Sequence, residues 1–241
     1  MPPTSGTTTP AYVAIAATMR DRIAVEGLAP HTLLPSEREL CEEFGVSRMT
    51  ARHALTLLEN EGVVYRRPPR GTFVADPRVT FRIGSFSDEI TRVGRHPGAQ
   101  VLWSEVQEAS PVVAEALAVG PAAHVNALQR LRYADSEPIA IETTYFSAAL
   151  TPGLLDGPLE GSLWAVIAER YGVVATDASA TLQSIVIDDT SCKRLGVRSA
   201  SSGILLERRT YDSDGQCFEF ARDVYRADRA TFEVTASIPR A

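Results

Sequence analysis

Lysine is nearly missing from this chain: of 24 basic residues only Lys193 is a lysine, and the rest are arginine. Arginine suits bidentate recognition, but here it fills both halves of the sequence, so a compositional habit explains the bias more economically. Cysteine is scarce as well. Cys41, Cys192 and Cys217 are odd in number and widely spaced, which argues against a disulfide framework or a zinc module. The four histidines, His31, His53, His96 and His124, are scattered. No H-x-x-x-H, C-x-x-C or G-x-S-x-G spacing occurs, so common metal and nucleophile signatures are absent. Neither G-x-G-x-x-G nor a Walker loop is present, which disfavours nucleotide binding. No enzyme activity, cofactor or metal is expected. No apolar run approaches the roughly 20 residues of a membrane span, and "MPPTSGTTTP" lacks the basic stretch and apolar core of a signal peptide. A cytoplasmic protein with no membrane partner is the expectation.

A positive charge surplus is lacking too. The formal net charge is -6. Residues 1–78 hold nine Arg against nine Asp or Glu, so the whole deficit falls on residues 79–241. A nucleic-acid partner would therefore meet a local patch near the N-terminal end. What the chain does have is apolar residues, 44% of 241, enough for one large core or two small ones.

The N-terminal third is dense in helix signals. "AYVAIAATMRDRIAVEG" places Tyr12, Ile15, Met19 and Ile23 at helical spacing, ending near Gly27. In "PSERE", Ser36 and Glu39 form a capping box for a helix that runs to Phe44, with Leu40 and Phe44 inward. Gly45 ends it, Val46 fills the corner and Ser47 caps the next helix, which carries Ala51, Ala54, Leu55 and Leu58 and stops at Gly62. Two helices joined by about three residues make a helix-turn-helix. "VVYRRPPRGTFVADP" then reads as a basic hairpin with a stiff proline tip, the wing of a winged helix-turn-helix.

That arrangement gives the arginines a purpose. Ser47, Arg48, Thr50 and Arg52 occupy the first turns of the second helix, the end that enters a major groove. Arginine is the best donor fork for guanine, and the hydroxyls can bond phosphate or a base edge. Arg38 would reach groove or backbone, and wing arginines such as Arg67 and Arg70 would neutralise phosphates or enter the minor groove. Gly71 permits a sharp bend or close approach. Since charge in this third is balanced, Glu37, Glu39, Glu42 and Glu43 are expected to face away from DNA. "LPSERELCEEFGVSRMTARHALTLLENEGVVYRRPPRGTFV" resembles the winged helix-turn-helix of the GntR superfamily of bacterial transcription regulators. The resemblance implies DNA contacts at Arg38, Ser47, Arg48, Thr50, Arg52 and Gly71.

The remainder reads as an α+β domain: an antiparallel sheet with helices on one side. Strands are expected at 124–134, 137–147, within 171–190, at 204–212 and at 217–227, with a last one in "RATFEVTAS"; helices are expected at 112–118, 162–172 and 190–197. "LQRLRYADSEPIAIETTYF" and "LLERRTYDSDGQCFEFARDVY" share a texture that points to an internal repeat. It would gather Arg130, Arg132, Arg208 or Arg209, Glu142 and Glu219 around one centre, as internal ion pairs or as a ligand pocket.

Residues from about 80 to 235 resemble the UTRA effector-sensing domain of the HutC branch, whose fold is shared with chorismate lyase. "GSFSDEITRVG", "RLRYADSEPIAIETTYF", "GSLWAVIAERYG" and "ERRTYDSDGQCFEFARDVYRADRATF" carry the likeness. It implies an effector site lined by Ser85, Phe86, Ser87, Arg130, Arg132, Glu142, Ser162, Glu219 and Tyr225, with Ser85 and Ser87 on a loop and Phe220 bearing on pocket size. The expected organisation is a winged helix-turn-helix at 10–75, a linker at 76–84 and an effector-binding and dimerisation domain at 85–237. The function this implies is a homodimeric, sequence-specific regulator of double-stranded operator DNA. It would be a repressor released by a small anionic effector, such as a sugar phosphate or organic acid. A regulator that senses no ligand, and a lyase-like enzyme with an accessory DNA-binding domain, are the alternatives.

Overall fold

A computed structural model describes residues 9–235. Residues 1–8 and the expected domain end at 237 lie outside them. The chain divides into two compact units between Arg78 and Val79. Among the described residues no helix is long and apolar enough to cross a membrane.

The first unit holds helices α1 (Ala11–Val25), α2 (Glu37–Phe44) and α3 (Arg48–Asn60), then strands β1 (Val64–Arg67) and β2 (Gly71–Val74). Ile15 and Met19 of α1 are buried, with Tyr12 and Ile23 packed beside them. The expected cap on α2 is present: Ser36 Oγ accepts from the Glu39 amide at 3.3 Å, and the Ser36 amide donates to Glu39 Oε2 at 2.7 Å. Gly45, in the left-handed conformation at φ 64°, ends α2. Ser47 Oγ caps α3 by accepting from the Thr50 amide at 3.2 Å. Small Ala51 and Ala54 share the core with Leu40, Leu55 and Leu58, so the helices meet closely. The hairpin β1–β2 pairs antiparallel from Val64–Val74 to Arg67–Gly71, with the two prolines at its tip.

The second unit begins with β3 (Val79–Phe81), α4 (Phe86–Arg92), β4 (Pro97–Glu108), α5 (Pro111–Leu117), β5 (His124–Ala134) and β6 (Glu137–Ser147). It continues through α6 (Leu163–Tyr171), β7 (Asp177–Val186), α7 (Asp189–Leu195), β8 (Ser202–Tyr211), β9 (Cys217–Arg226) and β10 (Ala230–Phe232). Six strands form one antiparallel sheet in the order β4-β5-β6-β9-β8-β7. The two halves, β4-β5-β6 and β7-β8-β9, therefore meet along β6 and β9.

Three expectations need correction. Helices cover both faces of the sheet, not one: α4 and α6 pack on the face of Leu128, Ala140 and Leu206, whereas α5 and α7 pack on that of Val125, Leu131 and Ile141. β5 is buried along consecutive residues, so both its faces need cover. The segment 76–84, expected as a linker, contains β3, whose Val79 and Phe81 are buried and which pairs in parallel with β10. Residues 86–92, read as part of a loop, form α4 with Ser85 as its cap.

Candidate functional site

On the first unit, Arg48 and Arg52 lie one turn apart on α3 and converge on one carboxylate of α2. Arg52 donates through Nε to Glu37 Oε1 at 2.9 Å and through Nη2 to Oε2 at 3.2 Å. Arg48 Nε donates to Oε2 at 3.2 Å. The hydrogen bond from Arg52 is the leading reason the Glu37 carboxyl sits below its ordinary range. Glu37 thus does not face away from the arginines; it holds both. Its position one residue past the cap Ser36 points it at the start of α3, a tertiary contact that sequence spacing does not display. Arg38 is exposed and bonded within its own helix to Glu42 at 2.6 Å. Ser47 and Thr50 share a hydroxyl contact of 2.9 Å beside the cap.

The wing arginines divide into two kinds. Arg66 is structural, donating to the Arg52 carbonyl and to Thr56 Oγ1. Arg67 and Arg70 are exposed at the tip, with no side-chain partner recorded among the described residues. Gly71 has φ +125°, and a Cβ there would stand 2.8 Å from Leu33 Cδ1. The conformation favours glycine, while the contact is with the movable end of the exposed Leu33 side chain.

On the second unit, a small, partly open cleft lies beside the centre of the sheet. Eight of the nine residues expected there line it: Ser85, Phe86, Ser87, Arg130, Arg132, Glu142, Ser162 and Glu219. Tyr225 does not. It is buried beside Phe86, packed against Phe81 and Phe232. Phe220 is also elsewhere, stacked on Tyr145 in the cluster beneath α5, so it does not set the size of the cleft. The residues that the sequence reading missed are Leu163, Trp164 and, in part, Arg208, which was left tied with Arg209. Strand parity separates that pair: Arg208 faces the cleft, while Arg209 lies over Phe220 on the other side.

Ion pairs organise the cleft. Glu142 stands directly across β5–β6 from Arg130. Its Oε2 accepts from Arg130 Nε at 2.6 Å and from Arg132 Nη1 at 3.1 Å. Arg130 Nη1 also donates to the carbonyls of Leu159 and Gly161, tying the segment before α6 to the sheet. Arg132 Nη2 donates to Ser87 Oγ at 3.0 Å, and its guanidinium lies 4.3 Å from the centre of the Phe86 ring. Arg208 donates to Glu219 Oε2 at 3.1 Å and to the Gly84 carbonyl at 2.9 Å, with Trp164 beside its guanidinium. Ser162 caps α6, placing that helix's N-terminus at the cleft.

The charge states follow from these contacts. Burial pushes the Glu142 carboxyl up, but Arg132 and Arg130 outweigh it and hold it at about 2. Burial lowers Arg130 below its ordinary value, against the pull of Glu142; arginine remains cationic even so. Burial also works against the Arg208 cation, but Glu219 and Asp223 prevail and raise it. Three guanidiniums therefore face two cleft-lining carboxylates. Such a centre is suited to hold an anion and offers no evident nucleophile. Among the described residues, no cluster of His, Cys, Asp and Glu could hold a metal ion.

Comparison with known proteins accounts for both units. Residues 11–74 match the family model of bacterial regulatory proteins of the gntR family. Residues 92–231 match that of the UTRA domain. The chain is 32% identical over 226 residues to the HTH-type transcriptional repressor NagR of Bacillus subtilis, covering 92% of this chain and 93% of that protein. It is 28% identical over 205 residues to the histidine utilization repressor of Pseudomonas aeruginosa, covering 84% and 82%. Among solved structures, PhnF from Mycobacterium smegmatis superposes with a TM-score of 0.67 at 31% identity, over 93% of this chain and 100% of that one.

Proposed function

This chain belongs to the gntR family of bacterial regulatory proteins and carries a UTRA domain, and from that premise we propose that it is a repressor which leaves its operator when a small anionic metabolite enters the cleft. The observation that carries the reading is the charge of that cleft: three buried guanidiniums against two carboxylates, beside the N-terminus of α6. Arginine forks and serine hydroxyls suit a phosphate or carboxylate, and a helix N-terminus favours negative charge. Sugar phosphates and organic acids are the effector classes that fit. NagR and the histidine utilization repressor are both named as repressors, which supports a sensor rather than a catalyst.

Operator reading falls to Arg48 and Arg52 in the major groove, with Ser47, Thr50 and Arg38 beside them. Arg67 and Arg70 serve the phosphates or minor groove, and Gly71 shapes the wing. The working form is a homodimer on a pseudopalindromic operator, since one helix-turn-helix spans only a half-site. β7, an outer strand of the sheet, is exposed along most of its length and gives a second copy an edge to meet. Coupling between sites is reciprocal, so effector and operator each weaken the other's binding.

The test is a thermal-shift screen of sugar phosphates and organic acids, followed by operator release with each hit. Removing Arg130 or Arg132 outright would take one of two partners from the buried Glu142, so R132K is the suitable variant: it keeps the charge and loses the fork. R132K should need about tenfold or more effector for release, at unchanged operator affinity. Release at the wild-type effector concentration would refute the cleft as the sensing site.

A further inference from the structure

Two buried polar groups near the cleft take no part in its ion pairs. Asp223, on β9, is 2% exposed, and its Oδ1 has no hydrogen-bond partner among the described residues. Thr144, on β6, is 0% exposed, and its Oγ1 is likewise unpartnered. Both sit on the sheet face that carries the cleft. Asp223 is paired directly across from Glu142, and Thr144 follows Glu142 by two residues. Ala221, the strand partner of Thr144, lies between Glu219 and Asp223 along β9 and has only a methyl group to offer. Neighbouring donors are already engaged: Arg130 and Arg132 on Glu142, Arg208 and Thr210 on Glu219. Native interiors rarely leave a buried hydroxyl or carboxyl unmatched.

We propose that Asp223 and Thr144, flanking Ala221, form an inner subsite of the effector cleft that takes the ammonium-bearing end of an effector whose anionic end lies at Arg130 and Arg132. The proposal rests on the reading of the cleft as the effector site and narrows it to compounds carrying an anion at one end and an amine at the other. An ammonium brings three donors and no acceptor, which matches one carboxylate and one hydroxyl oxygen. The charged and titratable groups facing Asp223 are Glu142 from β6, Glu219 and Tyr225 on its own strand, Arg208 from β8 and Arg132 from β5. Burial, and then the charge of Glu142, push the Asp223 carboxyl well above its ordinary range. An arriving ammonium favours the ionised form instead, so Asp223 gives its proton to solvent as the ligand binds.

The experiment is calorimetric titration of the full chain with a series of ω-aminoalkyl phosphates and the alkyl phosphates of matching length. At the length that spans the cleft, the amino compound should bind about ten- to a hundredfold tighter than its alkyl partner. It should also release a proton, seen as heat that varies with the buffer, and its affinity should rise with pH. D223N should erase this preference and the proton release while leaving alkyl phosphate affinity unchanged. T144V, which keeps the side-chain volume, should reduce the preference and serves if D223N fails to fold. Equal binding of both series to the wild-type protein, or a preference retained in the variants, overturns the inner subsite and leaves the anion cleft standing. Failure of alkyl phosphates, inorganic phosphate and the matching alkyl carboxylates to bind at all overturns both readings.

Discussion

Replacing Glu142 by glutamine removes one buried charge and leaves two. At about 4 Å and an effective dielectric of about 20, each Arg–Glu attraction is worth about 4 kcal/mol. Desolvation of the ions takes back several kcal/mol apiece, but that cost persists for Arg130 and Arg132 once their partner is gone. Removing one member of such a cluster costs about 3–5 kcal/mol. A second route agrees: a carboxyl held at about 2 instead of 4.5 corresponds to about 3 kcal/mol. For a domain of this size the melting transition of the second unit should fall by about 6–20 °C. E207Q, which breaks the exposed Arg222–Glu207 pair, should cost less than about 1 kcal/mol. The sign of the pH dependence is fixed. Glu142 has a depressed folded value, so its contribution is present above its ordinary 4.5 and is lost as pH falls through about 2. The gap between wild type and E142Q should therefore shrink over that window. Thermal and urea unfolding of the full chain, followed by circular dichroism from neutral to acid pH, makes the measurement. An E142Q protein that matches wild type at neutral pH, or a gap that does not narrow in acid, would refute the reasoning.

Operator titrations should separate the two kinds of arginine proposed to meet DNA: R48A or R52A should weaken specific binding about ten- to a hundredfold and relax base choice. R67A or R70A should instead weaken specific and random DNA alike and lower the salt slope; unchanged operator affinity in an R48A/R52A protein would remove α3 from the reading role. Sedimentation of the full chain at micromolar concentration without DNA should give twice the monomer mass, and a monomer would make dimerisation dependent on DNA or absent.

Local signals carried most of the architecture. The residues of β5 and β6 run in strand-like stretches either side of a tight Asp-Ser turn, so 124–134 and 137–147 could be read directly although both faces are buried, and Ser36, Gly45 and Ser47 punctuate α2 and α3. β4 went unread because it starts Pro-Gly and runs half-exposed at the sheet edge, where neither face imposes alternation. β3 and β10 are three residues each and find each other across most of the second unit, a pairing that local pattern does not encode. At the cleft, the paired arginines and Glu142 were legible from shared parity, while Trp164 was hidden as one more apolar residue on a helix. Phe220 was misjudged although it adjoins Glu219 on a strand, and neighbours on a strand point to opposite faces. Glu37, Asp223 and Thr144 owe their meaning to partners on other elements, or to the want of them.

Glu37 has one further consequence under the proposed reading of DNA. In the free protein its single carboxylate pairs with both Arg48 and Arg52, leaving one net positive charge between them, so both side chains must let go of Glu37 to read a base with their full forks. Drawing them out costs the same on every sequence. A stretch that offers only phosphates returns little of that cost, whereas a site with guanine edges in register returns it through two forked contacts. A cost common to every sequence lowers all affinities by one factor, so the clamp shortens residence on random DNA and leaves the discrimination itself to the guanine contacts.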